Sequence, residues 1–307
     1  MRKSLNARLV TFVAGAVLVL PTSVACGQDT PADEPPRQPA GQPPVAPPVT
    51  PPGQPAEQQS LNIVGLTDDN KLIQFSSQNP SPRDTGTISG LGGGDTRLVG
   101  IDYRAQDGKL YGVGDRGGVY SLEPTGQATS VGRLTIALQG TSFAVDFNPA
   151  ANALRVVSDT GQNLRQPFTA TPLPATIADT PLSAPQATPP ANPANGVTAA
   201  AYTNNDTDQN TGTALFGLDT TADQIVLQSP ANSGQLAPTG KLTVDATGDA
   251  GLDIGPVRGS PTGEQVAFAT LRVGDQYGLY RVNLFTGKAE TAGALGRNVI
   301  DLAIPLS

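Results

Sequence analysis

From Leu61 onward, short segments rich in β-branched and aromatic residues alternate with clusters of Gly, Asn and Asp. No stretch of helical length carries an apolar stripe with a 3.6-residue period. Short apolar segments separated by turn-forming residues are typical of an all-β protein. We therefore predict strands throughout residues 61–307.

Four segments of this region share a frame in which an aspartate follows Gly, Ala or Val two positions earlier. They are LVGIDYR, FAVDFNP, AGLDIGP and NVIDLAIP, and their aspartates are Asp102, Asp146, Asp253 and Asp301. A fifth segment, VTAAAYT, fits the same frame with Ala201 in the aspartate position. The frame positions are spaced by 44, 55, 52 and 48 residues, and one propeller blade takes about 40 to 50 residues.

A hairpin and a weaker fourth strand follow the inner segments, which gives units of four strands. The first unit has no inner strand before Leu61, whereas residues 299–304 form an inner strand with no hairpin after it. These two halves make one blade if the C-terminal strand pairs beside the N-terminal hairpin, a closure that protects the strand edges. We predict a five-bladed β-propeller. The alternatives are an irregular sandwich, or six blades with a degenerate blade in the Pro-rich stretch 167–196.

The N-terminus has the pattern of an export signal over residues 1–25, with a basic start, an apolar run at 9–20 and small residues after it. That run is too short for a membrane-spanning helix, which needs about 20 residues. Cys26 follows it and resembles a bacterial lipidation site, although Ser23 stands where leucine is usual. We predict a cell-envelope lipoprotein that contacts the membrane through this lipid alone. Secretion to the periplasm or the medium is the alternative.

The segment after Cys26 contains eleven prolines within residues 27–60. Such a composition cannot bury a core and favours extended polyproline II geometry, at about 3.1 Å per residue. We predict that residues 26–60 form a disordered spacer between the lipid and the domain at 61–307. A tail with no particular reach is the other interpretation.

The composition excludes several functional classes. The chain has no histidine and one cysteine, which excludes Ser-His-Asp and Cys-His catalysis and every metal site that needs imidazole. Its formal charge is −7 and it contains no basic run, which argues against nucleic acid or an anionic lipid surface as the partner. We expect a monomer whose partner is an extracellular protein or glycan.

The frame aspartates are the main candidate site, because equivalent positions of a propeller approach the central axis from different blades. Three functional uses are open to them: binding a hard cation such as Ca²⁺, acid/base catalysis on a glycoside, or binding a polar ligand at a channel mouth. The structural alternative is that each carboxylate accepts backbone N–H bonds from the neighbouring blade. We expect this structural role and no cofactor, since a residue repeated in a repeated fold is more often structural. Glycosidases of similar blade number use an axial glutamate, whereas Glu123, Glu264 and Glu290 fall in peripheral segments.

A second polar set lies on the hairpin ALRVVSDTGQNLR and consists of Arg155, Asn163 and Arg165. The other hairpins carry mainly Val, Leu and Tyr at such positions. Arginines there pair with the channel aspartates or bind an anionic ligand, and pairing is the simpler interpretation.

Long stretches of the chain also resemble a known family. FAVDFNPAANALRVVSDTGQNLRQ, VTAAAYTNN and LFGLDTTADQIVLQSPANSGQLAPTGKL are similar to the bacterial domain of unknown function 4394. The resemblance covers essentially all of 61–307 and implies a secreted, propeller-like domain with no established catalytic residues. We therefore predict a cell-surface binding or scaffold module rather than an enzyme. The alternative is a carboxylate- or metal-dependent hydrolase acting on an envelope or extracellular glycan.

Overall fold

The computed structural model describes residues 60–185, 192–208, 210–257 and 264–306. The predicted signal peptide, Cys26 and all of the spacer except residue 60 lie outside these ranges. Among the described residues, no helix is both long and apolar enough to cross a membrane.

Within the described ranges nearly all regular structure is β, and the exception is one short 3-10 turn at Ala231–Ser233. The strands in chain order are β1 (Asn62–Thr67), β2 (Lys71–Ser76), β3 (Arg83–Thr87), β4 (Leu98–Tyr103), β5 (Leu110–Gly114), β6 (Gly118–Leu122), β7 (Ala128–Arg133), β8 (Phe143–Asn148), β9 (Ala153–Ser158), β10 (Asn163–Pro167), β11 (Ile177–Ala178), β12 (Ser183–Ala184), β13 (Asn192–Pro193), β14 (Val197–Tyr202), β15 (Leu215–Asp219), β16 (Gln224–Gln228), β17 (Leu236–Lys241), β18 (Gly251–Pro256), β19 (Gln265–Val273), β20 (Gln276–Val282), β21 (Ala289–Ala294) and β22 (Val299–Ala303).

Twenty of the strands form five antiparallel sheets of four strands each, and β12 and β13 form a separate two-stranded sheet. Blade 1 has the order β22-β1-β2-β3, and blades 2 to 5 consist of β4 to β7, β8 to β11, β14 to β17 and β18 to β21. The inner strands contact one another in a closed circuit, in the order β22, β4, β8, β14, β18 and back to β22. The prediction of a five-bladed propeller is therefore confirmed.

The C-terminal strand closes the ring as the sequence predicts. β22 pairs antiparallel with β1, with Val64 opposite Ala303 and Leu66 opposite Asp301. β1 then pairs with β2 on its other side. Blade 1 is thus built from both ends of the described chain, so its inner strand joins blade 1 covalently to blade 5.

The Pro-rich stretch 167–196 does not form a sixth blade in its described part. It supplies β11, which is the outer strand of blade 3 and pairs with β10 at Leu164 and Arg165. It also supplies the short ribbon of β12 and β13. Each of these three strands is only two residues long. The stretch is rich in proline, which lacks the N–H that a strand ladder needs.

The hydrophobic core is divided into five clusters, and each cluster lies between two adjacent blades. Leu98 and Leu72 represent the cluster between blades 1 and 2, and Phe143 represents that between blades 2 and 3. The cluster between blades 4 and 5 contains Phe216 and Leu252. The other two clusters join blades 3 and 4 and blades 5 and 1. Each blade therefore depends on both of its neighbours for burial of its apolar faces.

Candidate functional site

The frame aspartates lie on four inner strands, β4, β8, β18 and β22, and all four are buried. Carboxylate oxygens of Asp102, Asp146 and Asp253 lie within 4.8 Å of one another, although they belong to three different blades. Among the described residues, no lysine or arginine forms an ion pair with them or with Asp301. The centre of the ring therefore holds a group of buried carboxylates without a cationic side chain.

Each of these carboxylates accepts a backbone N–H from the inner strand of the next blade. Asp301 Oδ2 accepts the N–H of Ile101 at 2.8 Å and links blade 1 to blade 2. Asp102 Oδ2 accepts the N–H of Phe147 at 2.7 Å and links blade 2 to blade 3. Buried amide donors need a partner, and these carboxylates provide it.

The same contact recurs at two further junctions. Asp146 Oδ1 accepts the N–H of Tyr202 at 3.0 Å and links blade 3 to blade 4. Asp253 Oδ2 accepts the N–H of Ile304 at 2.6 Å and links blade 5 to blade 1. Only the junction from blade 4 to blade 5 has no such link, because its frame position is Ala201.

Three of the four carboxylates also accept an N–H within their own strand. Asp102, Asp253 and Asp301 bond the N–H of the residue that follows each of them, at 2.6, 2.6 and 2.9 Å. Both oxygens of each of these side chains are thus bonded to backbone amides. This geometry is what the structural role of the frame requires.

The small residues of the frame are explained by the close approach of inner strands. A Cβ atom at Gly100 would lie 2.9 Å from Asp301 Oδ2, and it would also collide with the Val145 side chain. A Cβ atom at Gly251 would lie 2.7 Å from the Asp301 Cα atom. Larger side chains here would separate the blades, and the N–H bonds of the carboxylates would be lost.

Burial and mutual repulsion make these carboxylates hard to ionise together. Burial raises the pKa of Asp253 to about 6, against the opposing effect of its two backbone N–H bonds. Burial, followed by the charge of a neighbouring aspartate, raises the pKa of Asp102 and Asp146 well above the usual value. The pKa of Asp301 is also raised, chiefly by burial. The carboxylates of the cluster therefore keep their protons to higher pH than ordinary aspartates do.

Asp102, Asp146 and Asp253 are also the residues that could hold a metal ion. They supply only carboxylate oxygens, which suit hard cations such as Ca²⁺. The three glutamates that sequence reasoning placed at the periphery are not among them: Glu123 follows β6, Glu264 precedes β19 and Glu290 lies on the outer strand β21.

The hairpin set lies in a separate network around Arg155, which is fully buried. The Arg155 guanidinium donates to Asn163 Oδ1 at 2.8 Å and to Asp179 Oδ2 at 2.7 Å. It also donates to Asn232 Oδ1 at 2.7 Å and to the Tyr202 hydroxyl at 3.2 Å. The network therefore ties the loop before β12 and the 3-10 turn of blade 4 to blade 3.

Arg165 completes this network through a two-point contact with Asp179, at 3.0 Å for both bonds. Burial would raise the pKa of Asp179, but hydrogen bonds from Arg165 and Arg155 lower it below the usual value. The partner of both arginines is thus Asp179 and not an axial aspartate. Sequence reasoning missed Asp179 and Asn232, because they are distant in sequence from the hairpin and belong to no repeat.

On one face of the ring, where inner strands end, described residues line four clefts, and we call this face the cleft face. They have volumes of about 350 Å³ between blades 1 and 2, 380 Å³ between blades 3 and 4, 240 Å³ between blades 5 and 1, and 400 Å³ over blade 5. The first three clefts are each lined by residues of two adjacent blades, whereas blade 5 alone lines the fourth. No sequence motif marks them.

The sequence of residues 71–303 matches the family profile of a domain of unknown function, DUF4394. The chain belongs to this family. The resemblance noted from the sequence motifs is therefore confirmed for most of the propeller. No curated protein sequence matches the chain.

Several solved structures are similar to parts of this chain. A protein of unknown function from Bacteroides thetaiotaomicron is 12% identical, with a TM-score of 0.45 over 80% of this chain and 64% of that chain. A chain of a nidogen/laminin complex is 11% identical, with a TM-score of 0.44 over 81% of this chain and 99% of that chain. A protein from Lactobacillus plantarum is 17% identical, with a TM-score of 0.35 over 77% and 67%. The chain spans between 53% and 67% of the length of four such structures, and none of these similarities bears on function.

Proposed function

We propose that the chain is a cell-surface binding or scaffold module, in which the propeller presents its cleft face to an extracellular protein or glycan. The export pattern of residues 1–25, Cys26 and the Pro-rich spacer up to residue 60 support an exported, lipid-anchored protein. The protein contacts the membrane through that lipid only and acts as a monomer.

The observation that carries the proposal is how the axial carboxylates are used. A hydrolase needs two carboxylates with distinct protonation states beside an open cleft. Here the carboxylates are buried and bonded to backbone amides of adjacent blades, and the clefts lie elsewhere, at the strand ends of the cleft face. These contacts support a structural role for the axial carboxylates and a binding role for the cleft face.

The test against hydrolysis uses the full-length exported protein and a panel of envelope polysaccharides. We expect polysaccharide retention on the protein and no new reducing ends, with wild type and Asp253→Asn indistinguishable. A release of reducing ends that disappears in Asp253→Asn, while the unfolding curve is unchanged, would replace this proposal with the hydrolase.

The anchor has its own test. Cys26→Ser should move the protein from the membrane fraction to the periplasm or the medium, because lipidation requires the thiol. Cys26→Ala is the matched control, since it also removes the thiol and should behave in the same way. Equal recovery of wild type and both variants in membranes would contradict lipid anchoring.

A structural Ca²⁺ ion at the axis is a second proposal, and the convergence of three carboxylate oxygens within 4.8 Å favours it. A cation would relieve the repulsion that otherwise requires protonation. If Ca²⁺ is bound, a chelator should lower the melting temperature of wild type and leave Asp146→Asn unchanged. If protons alone neutralise the cluster, the chelator should have no effect on either protein.

A further inference from the structure

The cleft over blade 5 combines an exposed aromatic ring with polar side chains. Phe285 is 73% exposed, and Ile177 is the other exposed large hydrophobic residue of the described chain. The Phe285 ring contacts Phe216 edge-to-face, at 5.8 Å between ring centroids and 84° between planes. In such a T-shaped pair the edge of one ring meets one face of the other, so Phe216 covers at most one face of Phe285 and a flat ring face remains available to a ligand.

The loop that carries Phe285 is held in place by hydrogen bonds. Asn283 Oδ1 accepts the N–H groups of Phe285 and Thr286, both at 3.0 Å. The Thr239 hydroxyl of blade 4 donates to the carbonyl of Leu284 at 2.5 Å. An exposed aromatic ring on an anchored loop is preorganised for binding, because little side-chain and loop entropy is lost when a ligand stacks on it.

The same cleft carries positive charge in an acidic protein. Arg281 and Lys288 line it together with one acidic residue, Glu290. Glu290 forms an ion pair with Lys288 at 2.6 Å. Arg281 lies opposite Glu290 in the pairing of β20 with β21. Arg281 itself forms no close ion pair with a described residue. Among the four clefts of the cleft face, only this one has an excess of basic side chains.

The remaining lining suits a ligand with many hydroxyl groups. Gln265 lies at the cleft edge and donates through Nε2 to Asn204 Oδ1 at 2.8 Å. This bond orients the Gln265 amide, whose oxygen can then accept a hydrogen bond from a ligand hydroxyl group. Buried Val266 and Val282 add apolar surface to the lining. A sugar ring has an apolar C–H face and a polar rim, and an exposed aromatic ring bordered by amide and charged groups matches both.

We propose that the blade 5 cleft binds an acidic oligosaccharide, with one sugar ring stacked on Phe285 and its carboxylate paired with Arg281. The volume of about 400 Å³ falls within the range of about 300 to 1,000 Å³ for ligand sites. This inference rests on the proposed function as a binding module, and it names the ligand class and the cleft.

The test measures binding of trigalacturonic acid to the full-length exported protein by calorimetry. We expect a dissociation constant below about 1 mM for wild type. Phe285→Ala and Arg281→Gln should each weaken binding by about tenfold or more. The trimethyl ester, which has the same sugar rings without charge, should bind more weakly than the acid by a similar factor.

Two matched controls remove equivalent groups away from the cleft. Ile177→Ala removes the other exposed large hydrophobic side chain, and Arg272→Gln removes an exposed arginine of the same blade. Neither should change binding. Because the chain has six tyrosines and no tryptophan, Phe285→Trp introduces a single tryptophan that can be excited selectively. Its fluorescence should change when the acid binds and should change less with the ester at the same concentration.

Three outcomes overturn the inference: no binding of the acid, equal binding of acid and ester, or equal losses in the cleft variants and the controls. Binding of an acidic peptide at the same two residues, without binding of the sugar, would also overturn it. That last result would leave the proposed binding module standing, whereas release of reducing ends would remove the module itself.

Discussion

Adjacent inner strands are held together differently at two neighbouring junctions, the one between blades 3 and 4 and the one between blades 4 and 5. At the first, Asp146 accepts the N–H of Tyr202 at 3.0 Å. At the second, Ala201 occupies the frame position and lies fully buried in an apolar cluster with Leu252 and Ile254. The comparison shows that this propeller does not need a carboxylate at every junction.

Neutral side chains hold the second junction. Asn205 Nδ2 donates to the carbonyl of Ile254 at 2.8 Å, and the Thr220 hydroxyl donates to the carbonyl of Gly248 at 3.1 Å. These donors satisfy carbonyls, whereas the aspartates satisfy N–H groups. Junctions of this propeller are thus bridged either by aspartates or by neutral side chains. We expect substitutions at the two kinds of junction to destabilise the fold for different reasons.

The largest effect should follow from removing the strand that closes the ring. Deletion of residues 299–307 removes buried Ala303 and four larger buried apolar side chains, Val299, Ile300, Leu302 and Ile304. Burial of each of the four is worth about 1.5 to 3 kcal/mol. That sum is comparable with the whole stability of a domain, about 5 to 15 kcal/mol. We expect loss of the cooperative transition in thermal unfolding monitored by circular dichroism. A transition at the wild-type temperature would contradict closure by β22.

The next largest effect should follow from placing a charge in the neutral junction. Ala201→Asp puts a carboxylate into an apolar cluster without a cationic partner, and an uncompensated buried charge costs about 3 to 5 kcal/mol. Denaturant unfolding at neutral pH measures this loss. Ala201→Asn is the control for size, since it carries no charge. Equal losses in both variants would show that volume, not charge, makes this junction apolar.

A smaller effect concerns pH. The pKa of Asp253 is raised from 3.8 to about 6 in the folded chain, so the folded state binds more protons than the unfolded state between these values. The stabilisation is fully present below about pH 4 and is lost as pH rises through about 6, at about 1.4 kcal/mol per pH unit for one proton. We expect the unfolding free energy of wild type, relative to Asp253→Asn, to fall over this range. A difference that rises with pH would contradict protonation of the cluster.

The junctions also show which features of the fold can be predicted from the sequence and which cannot. The frame of small residue and aspartate recurs at blade spacing, so blade number and closure by β22 follow from it. The bonding partners do not follow, because their offsets vary: Asp102 bonds the residue after Asp146, whereas Asp301 bonds the residue before Asp102. An irregular register at Leu98 in β4 accompanies this shift, and strand alternation alone does not reveal it.

The Arg155 network and the blade 5 cleft lie outside the repeated frame, and they were less predictable from the sequence. Arg155 is recognisable as an unusual hairpin residue, but its partners Asp179 and Asn232 lie outside the frame, in segments whose path depends on tertiary packing. The cleft of blade 5 is assembled from strand ends and the loop of Phe285. Such surfaces carry no periodicity, and periodicity is the signal on which prediction from one sequence depends.

The smallest effect should separate the charge of an axial carboxylate from its capacity to accept a hydrogen bond. Asp146→Ala leaves the buried N–H of Tyr202 without its acceptor, at a cost of about 1 to 3 kcal/mol in unfolding free energy. Asp146→Asn keeps an acceptor oxygen and removes one charge from a cluster where burial and the charge of Asp102 raise the pKa, so it should be milder. Denaturant unfolding of both variants, with and without a chelator, measures these losses. If the two losses are equal, the N–H bond does not stabilise the junction between blades 3 and 4. If the chelator destabilises wild type and neither variant, a cation rather than protons neutralises the axial carboxylates. The junctions with an aspartate would then differ from the Ala201 junction in cation binding as well as in hydrogen bonding.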